Sequence, residues 1–268
     1  MSFRALHDEL LAYHDQAAFV DVLTPWIEGN PAEIERLRSI RLRTGRPIPN
    51  VPEDERWLLY AASRVFELLV LRFQSGQADG SEWPGPAISE DEIVCFSERI
   101  GLDVVRPDRY SPFHHEIAAL SRPSGAAQSP QIVKYHWPCL MLGPLLLMRA
   151  GVTLSANSSV MHPEVAGTST LYWAFRRKTR PHHDLAHGWG HNSSWRTSFR
   201  RDYHLGDTFY FNVDGAVDLL DLHAESRNEE GLSPKERMEL LVSRCFVTVT
   251  KDSVDHFPYD DRFSMRSV

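Results

Sequence analysis

The spacing of apolar residues changes once along this chain, near residue 101, and that change constrains the fold more than any other feature. Before it, apolar residues recur at helical intervals. Phe3, Leu6, Leu10, Tyr13, Ala17 and Val20 are three or four positions apart, which keeps them on one face and predicts a helix over 3–20. Asn30-Pro31 has the form of a cap followed by proline at the first helical position, predicting a helix over 31–43 stopped by Gly45. Its Arg36, Arg38, Arg41 and Arg43 read as a solvated face. A third helix, over 53–73, is apolar on most sides from Trp57 to Phe73 and is expected to be the most buried of the three. Residues 74–88 are rich in Gly, Pro and Ser and read as a long loop. Ser89 and Glu92 then form a Ser-x-x-Glu capping box that opens a helix over 90–100, ending at Gly101.

Beyond residue 101 the pattern suits strands mixed with short helices. Strands are expected over 113–120 and 131–137, joined by a turn-rich segment, and over 171–175, 208–213 and 246–250. In the fourth of these, Phe209, Phe211 and Val213 alternate with Thr208, Tyr210 and Asn212, the period of a half-buried strand. A short helix is expected over 144–150. A second capping box, Ser233 with Glu236 and Pro234 between them, starts a helix over 234–245. Strands do not alternate regularly with long helices, which excludes a doubly wound parallel sheet. The expected fold is α+β: a helical N-terminal part packed on a mixed, mainly antiparallel sheet, in a single domain over 1–268.

Composition narrows the class. The chain has 268 residues, 42% of them hydrophobic and 24% charged, with a net charge of −7, which is ordinary globular content. The acidic balance argues against a general nucleic-acid coat. No Gly-rich phosphate loop and no G-x-G-x-x-G is present. Residues 139–148 form the longest apolar run, too short for a membrane span of about 20 residues, so it is expected in the core. The N-terminal residues lack the basic-then-apolar pattern of a signal peptide. Cys95, Cys139 and Cys245 are odd in number and lie beside apolar residues. All three are expected to be buried free thiols in a cytoplasmic protein.

The chemistry concentrates in residues 176–204, RRKTRPHHDLAHGWGHNSSWRTSFRRDYH. This stretch holds five of the 13 histidines, with seven Lys/Arg against only Asp184 and Asp202. On a helix, His183, His187 and His191 would lie one turn apart along one face and could hold a divalent metal ion. His183-Asp-Leu-Ala-His187 resembles the H-E-x-x-H of metalloproteases, with Asp184 in place of the general-base Glu. His191 lies eight residues after the first His, where the metzincin ligand lies ten after. The His183-Asp184 doublet is also similar to that of the HD-domain phosphohydrolases. That resemblance implies an upstream His ligand (His114, His115, His136 or His162), a downstream Asp (Asp214, Asp218 or Asp221) and helical surroundings.

Arg196, Arg200 and Arg201 offer planar forks for phosphate or carboxylate. Asn192 adds a neutral donor, and Trp189 and Trp195 are candidates for a pocket wall. The same arginines could instead pair internally with the chain's acidic excess. Serines near the histidines lack a G-x-S-x-G elbow. Cys139 with His136 is a weaker nucleophile candidate, and His114 with Glu116 a candidate acid–base or supporting pair. Two readings follow. In the first, the chain is a metal-assisted or acid–base enzyme acting on a small anionic substrate, a phosphorylated one among the candidates. His183, Asp184 and His187 are then catalytic, His183, His187 and His191 are metal ligands, and Trp189, Asn192, Trp195, Arg196, Arg200 and Arg201 bind substrate. In the second, it is a non-enzymatic binding, regulatory or immunity-type protein whose Arg/His-rich loop is structural.

Overall fold

The computed structural model describes residues 2–74, 83–121, 129–169, 178, 195, 198–221, 231–249 and 260–267. Helices are the regular structure of the described part of the first hundred residues. Helix α1 (Phe3–Ala12) buries Phe3, Leu6, His7 and Leu10. It ends well short of residue 20. Tyr13 Oη donates to Asp21 and accepts the Ala17 backbone N–H at 3.0 Å, and such local side-chain bonds compete with helix continuation. The chain re-enters helix through a π-helical turn (Phe19–Leu23) that runs into α2 (Thr24–Gly29).

Helix α3 (Pro31–Arg41) begins where expected, but Asn30 does not cap it. Its amide donates to the Trp26 carbonyl at 2.7 Å. Helix α4 (Glu53–Leu69) buries nine of its residues and is followed by a 3-10 turn (Leu71–Phe73). Helix α5 (Glu90–Arg99) carries the complete capping box. The arginines of α3, and Arg43 just past its end, are partly exposed yet engaged. Arg41 reaches Asp103 at 2.8 Å, Arg38 the Arg99 carbonyl at 2.7 Å, Arg36 reaches Asp54 and Arg43 reaches Glu55. They dock α3 on the end of α5 and the start of α4.

The rest of the described chain is mainly sheet. The strands are β1 (Asp103–Val105), β2 (His115–Ser121), β3 (Gln131–Trp137), β4 (Cys139–Leu142), β5 (Leu145–Met148), β6 (Ala150–Ser155), β7 (Tyr203–Leu205), β8 (Thr208–Phe211), β9 (Val217–Asp218) and β10 (Asp261–Arg266). Short α6 (Pro163–Ala166) and the capped α7 (Pro234–Ser243) complete the set. A seven-stranded sheet runs β1-β4-β5-β7-β8-β10-β9, and a three-stranded sheet runs β2-β6-β3. Pairing is antiparallel except for β10 with β9 and β2 with β6. The fold is therefore α+β, with N-terminal helices against a mainly antiparallel sheet. Among the described residues no helix is long and apolar enough to cross a membrane.

The β4–β5 hairpin explains the layering. Leu140, Leu142, Leu145 and Leu147 point into one core with α1–α5, whereas Cys139, Met141 and Leu146 point into a second core with β2, β6, β8 and α7. Side chains alternate across a strand, so a hairpin buried on both faces must be apolar at every position. That is why residues 139–148 read as one continuous run.

Two expectations for the strand-rich half are corrected. Residues 144–150 form no helix: Gly143, at φ +58°, turns the chain and 145–148 are β5. Residues 246–249 are not a strand, because the Glu239 carboxylate accepts the backbone N–H groups of Val247, Thr248 and Val249, which strand pairing would need. The strands expected over 113–120 and 131–137 are present as β2 and β3, and both flank β6. The expected strand over 171–175 lies outside the described residues. Cys139 and Cys245 are buried, but Cys95 is exposed on the outer face of α5, so its apolar neighbours in sequence do not cover it.

Candidate functional site

Of the residues singled out in 176–204, His183, Asp184, His187, Trp189, His191, Asn192 and Arg196 lie outside the described residues. Trp195, Arg200 and Arg201 are described. Trp195 packs edge-on against His7 of α1, ring centroids 4.9 Å apart, with the Arg4 guanidinium 5.5 Å from its ring. It docks on the helical layer. The surroundings differ from the all-helical frame the HD-domain resemblance implies, since Arg200 leads into the β7–β8 hairpin.

Arg201 is buried and holds Asp214 through two bonds, Nε to Oδ2 at 2.7 Å and Nη2 to Oδ1 at 2.6 Å. Its Nη1 reaches the Pro49 carbonyl at 2.9 Å. The bidentate pair links the two ends of the β7–β8 hairpin, and the Pro49 bond ties it to the segment before α4. Asp214, considered above as a metal ligand, is thereby an arginine partner.

Arg200 belongs to a deeper cluster. Asp202 is fully buried between β5 and β7. Its Oδ1 accepts from Arg200 Nε at 2.8 Å and from the Asn212 backbone at 2.7 Å. Its Oδ2 lies 3.4 Å from Arg244 Nη2 and 3.7 Å from Arg149 Nη2. Burial alone would raise the Asp202 pKa. The Arg200, Arg244 and Arg149 guanidiniums outweigh it and hold the carboxyl below its usual range. Arg149 is 1% exposed, and burial, with Arg244 beside it, pushes its pKa down to about 9. Glu116 is also buried and acts electrostatically on Arg149 and Arg244.

Two of these arginines also grip a helix end. Arg149 Nη1 donates to the Val242 carbonyl at 2.8 Å and Arg200 Nη2 to the Leu241 carbonyl at 2.6 Å, at the C-terminus of α7. Cations there complement the helix dipole and the last free carbonyls. Even so, Arg149 Nε and Nη2 and Arg244 Nε are buried with no hydrogen-bond partner among the described residues. Arg149 and Arg244 were not among the residues singled out from the sequence. The available signal was one arginine ending an apolar run, LLLMRAG, since a charge adjoining core must find partners there.

A second polar group lines an open cleft of about 620 Å³ beside β1, the Gly143-Pro144 turn and β7, with Asp103, Arg106, His114, Met141 and His204 in its wall. His114 and His204 approach to 5.5 Å between ring centroids at an interplanar angle of 77°, and both pack on Phe209. His114 Nδ1 and His204 Nε2 are buried without a partner among the described residues. Neighbouring His115 differs. Its Nδ1 accepts from the Ser111 N–H at 3.0 Å, and its Nε2 donates to Tyr135 Oη at 2.8 Å, which donates onward to the Pro107 carbonyl. His115 is thus satisfied within the chain. The His114–Glu116 pairing considered from sequence is divided: His114 stands beside His204, and Glu116 acts on the arginines. Cys139 is buried and its thiol pushed up to about 12 by that burial, the opposite of an activated nucleophile. Among the described residues no group of three or more His, Cys, Asp or Glu is arranged to hold a metal ion. Comparison with known protein families, with curated proteins and with solved structures finds no match to this chain.

Proposed function

We propose that this chain binds a small anionic ligand of phosphate or carboxylate character at the arginine cluster around Asp202. In this reading it is a cytoplasmic metal-assisted or acid–base enzyme. His183, Asp184 and His187 are its metal or acid–base groups, with His191 as the third ligand where a divalent ion binds, and Trp189, Asn192 and Arg196 are further ligand-binding residues. The observation that carries the anion is the cluster's imbalance. Three guanidiniums meet Asp202 and Glu116, and two Arg149 nitrogens and one of Arg244 lack hydrogen-bond partners among the described residues, Arg149 Nη2 having only the 3.7 Å ion pair with Asp202. Unpaired donors at such a depth cost several kcal/mol. A bound oxyanion accepts from them and neutralises the surplus charge. Three unpaired cysteines support a reducing compartment.

The second reading, a non-enzymatic protein with a structural Arg-rich segment, is favoured by a different observation. Arg149 and Arg200 hold the end of α7, and Arg201 forks onto Asp214. Calorimetric titration with inorganic phosphate, a sugar phosphate and a dicarboxylate decides between them, run on the parent protein and on Arg149→Lys. That variant keeps the charge and loses the fork. The first reading expects saturable binding that weakens at least tenfold in the variant, and phosphate-ester hydrolysis abolished by chelator and by His187→Ala. No binding of any probe, with Arg149→Lys altering only the unfolding midpoint, overturns it in favour of the structural segment.

A further inference from the structure

We propose that His114 and His204 form a binding site for a late first-row transition-metal ion, separate from the one assigned above to His183, His187 and His191. The two rings are held in place before any ion arrives. His114 stands at the start of β2, where its carbonyl accepts from Ala150. His204, in the middle of β7, donates its backbone N–H to Pro144. Phe209 packs against both rings. The Gly206 backbone hydrogen-bonds the His204 ring, leaving Nε2 as its unpartnered nitrogen. A backbone bond at one ring nitrogen that leaves the other free is the usual preparation of a histidine ligand.

The ring separation matches that of two ligands on one ion. With metal–nitrogen bonds of about 2.0–2.1 Å, two imidazoles on a tetrahedral ion place their ring centroids roughly 5 Å apart; here they are 5.5 Å apart. Both nitrogens without partners, His114 Nδ1 and His204 Nε2, are buried. Neutral imidazole is the ligand form. Two imidazoles select zinc, copper or nickel over magnesium or calcium, and a thioether wall supplied by Met141 suits copper. His114 and His204 both line the open cleft, the side from which an ion would enter. Asp103 also lines it, but its carboxylate already holds Arg41 and the Gly143 N–H.

The test strips the full-length protein with chelator and titrates it with Cu2+ and separately with Zn2+, in parent, His204→Gln, and a His183→Ala/His187→Ala/His191→Ala variant. The expected result is one equivalent whose affinity falls at least tenfold in His204→Gln and persists in the triple variant. Nitrogen-15 imidazole spectra of the parent with Zn2+ are expected to shift at His114 Nδ1 and His204 Nε2, a readout independent of any variant's folding. Binding lost in the triple variant and kept in His204→Gln, imidazole shifts confined to other histidines, or no saturable binding overturns the proposal. None of these outcomes bears on anion binding at Arg149, which is read by phosphate titration.

Discussion

Asp202 shows what a single residue does when three cations converge on it. Its side chain is fully buried, and it is the carboxylate that Arg149, Arg200 and Arg244 share. Removing one member of a buried pair costs about 3–5 kcal/mol, because the remaining charge keeps its desolvation cost without compensation. Asp202→Asn is therefore expected to lower unfolding free energy by about that much. Asp218→Asn, which breaks a half-exposed contact with Arg262, is expected to cost under about 1 kcal/mol. Urea unfolding of the two variants measures the contrast, and equal losses would show that the cluster is not the anchor described. In the sequence Asp202 was visible only as one of two acids in a basic stretch. Nothing local could reveal that Arg149, 53 positions earlier in the chain, and Arg244, 42 positions later, share it. The strong charge contrast of 176–204 was legible. Which arginines serve the chain itself was not, because that depends on strand pairing.

At the scale of elements, helices were easier to read than strands for a physical reason. Both capping boxes, Ser89/Glu92 and Ser233/Glu236, are local chemistry and stand where the residues place them. Residues 144–150 were ambiguous because a short apolar run buried on both sides has no period to separate strand from helix. Residues 246–249 have strand-forming side chains, yet the Glu239 carboxylate takes their N–H groups. In β10, Phe263 and Met265 alternate with Arg262, Ser264 and Arg266. The two-residue period was present, but only pairing with β8 gives it meaning. The close approach of β3 and β6 makes a further prediction. A Cβ added at Gly151 would stand 2.3 Å from the Trp137 ring, which is fixed by its own bond to the Arg149 carbonyl at 2.9 Å. Gly151→Ala is expected to cost at least about 1–3 kcal/mol through overpacking, read as a drop of several degrees in Tm. An unchanged Tm would mean that Trp137 can move aside.

For the whole molecule, the α+β class followed from one change of periodicity, but strand order did not. The seven-stranded sheet places the C-terminal strand between β8 and β9, a pairing that no local pattern encodes. One global property does follow from the buried groups: the response to acid. Burial, reinforced for His114 by neighbouring His204, pushes His114 and His115 from 6.5 down to about 4. At His115 a bond with Ser111 opposes that shift in part. Between those values the unfolded chain binds protons that the folded chain does not. Stability therefore falls as pH drops from about 6.5 towards about 4. Asp202 acts in the same direction at lower pH. Its carboxyl is depressed in the folded state, so its contribution is present above the ordinary carboxylate range and is lost as pH falls through the folded value. Denaturation midpoints in chelator-containing buffer are expected to decline steadily from pH 7 to pH 4.5. His114→Gln, which removes one of the two histidines, is expected to make that decline shallower over the whole range, because its window runs from about 6.5 down to about 4. A midpoint constant from pH 7 to pH 4.5 in the parent would mean that both histidines take up protons as readily when folded as when unfolded, and that the cleft beside β7 is wetter than its packing on Phe209 implies.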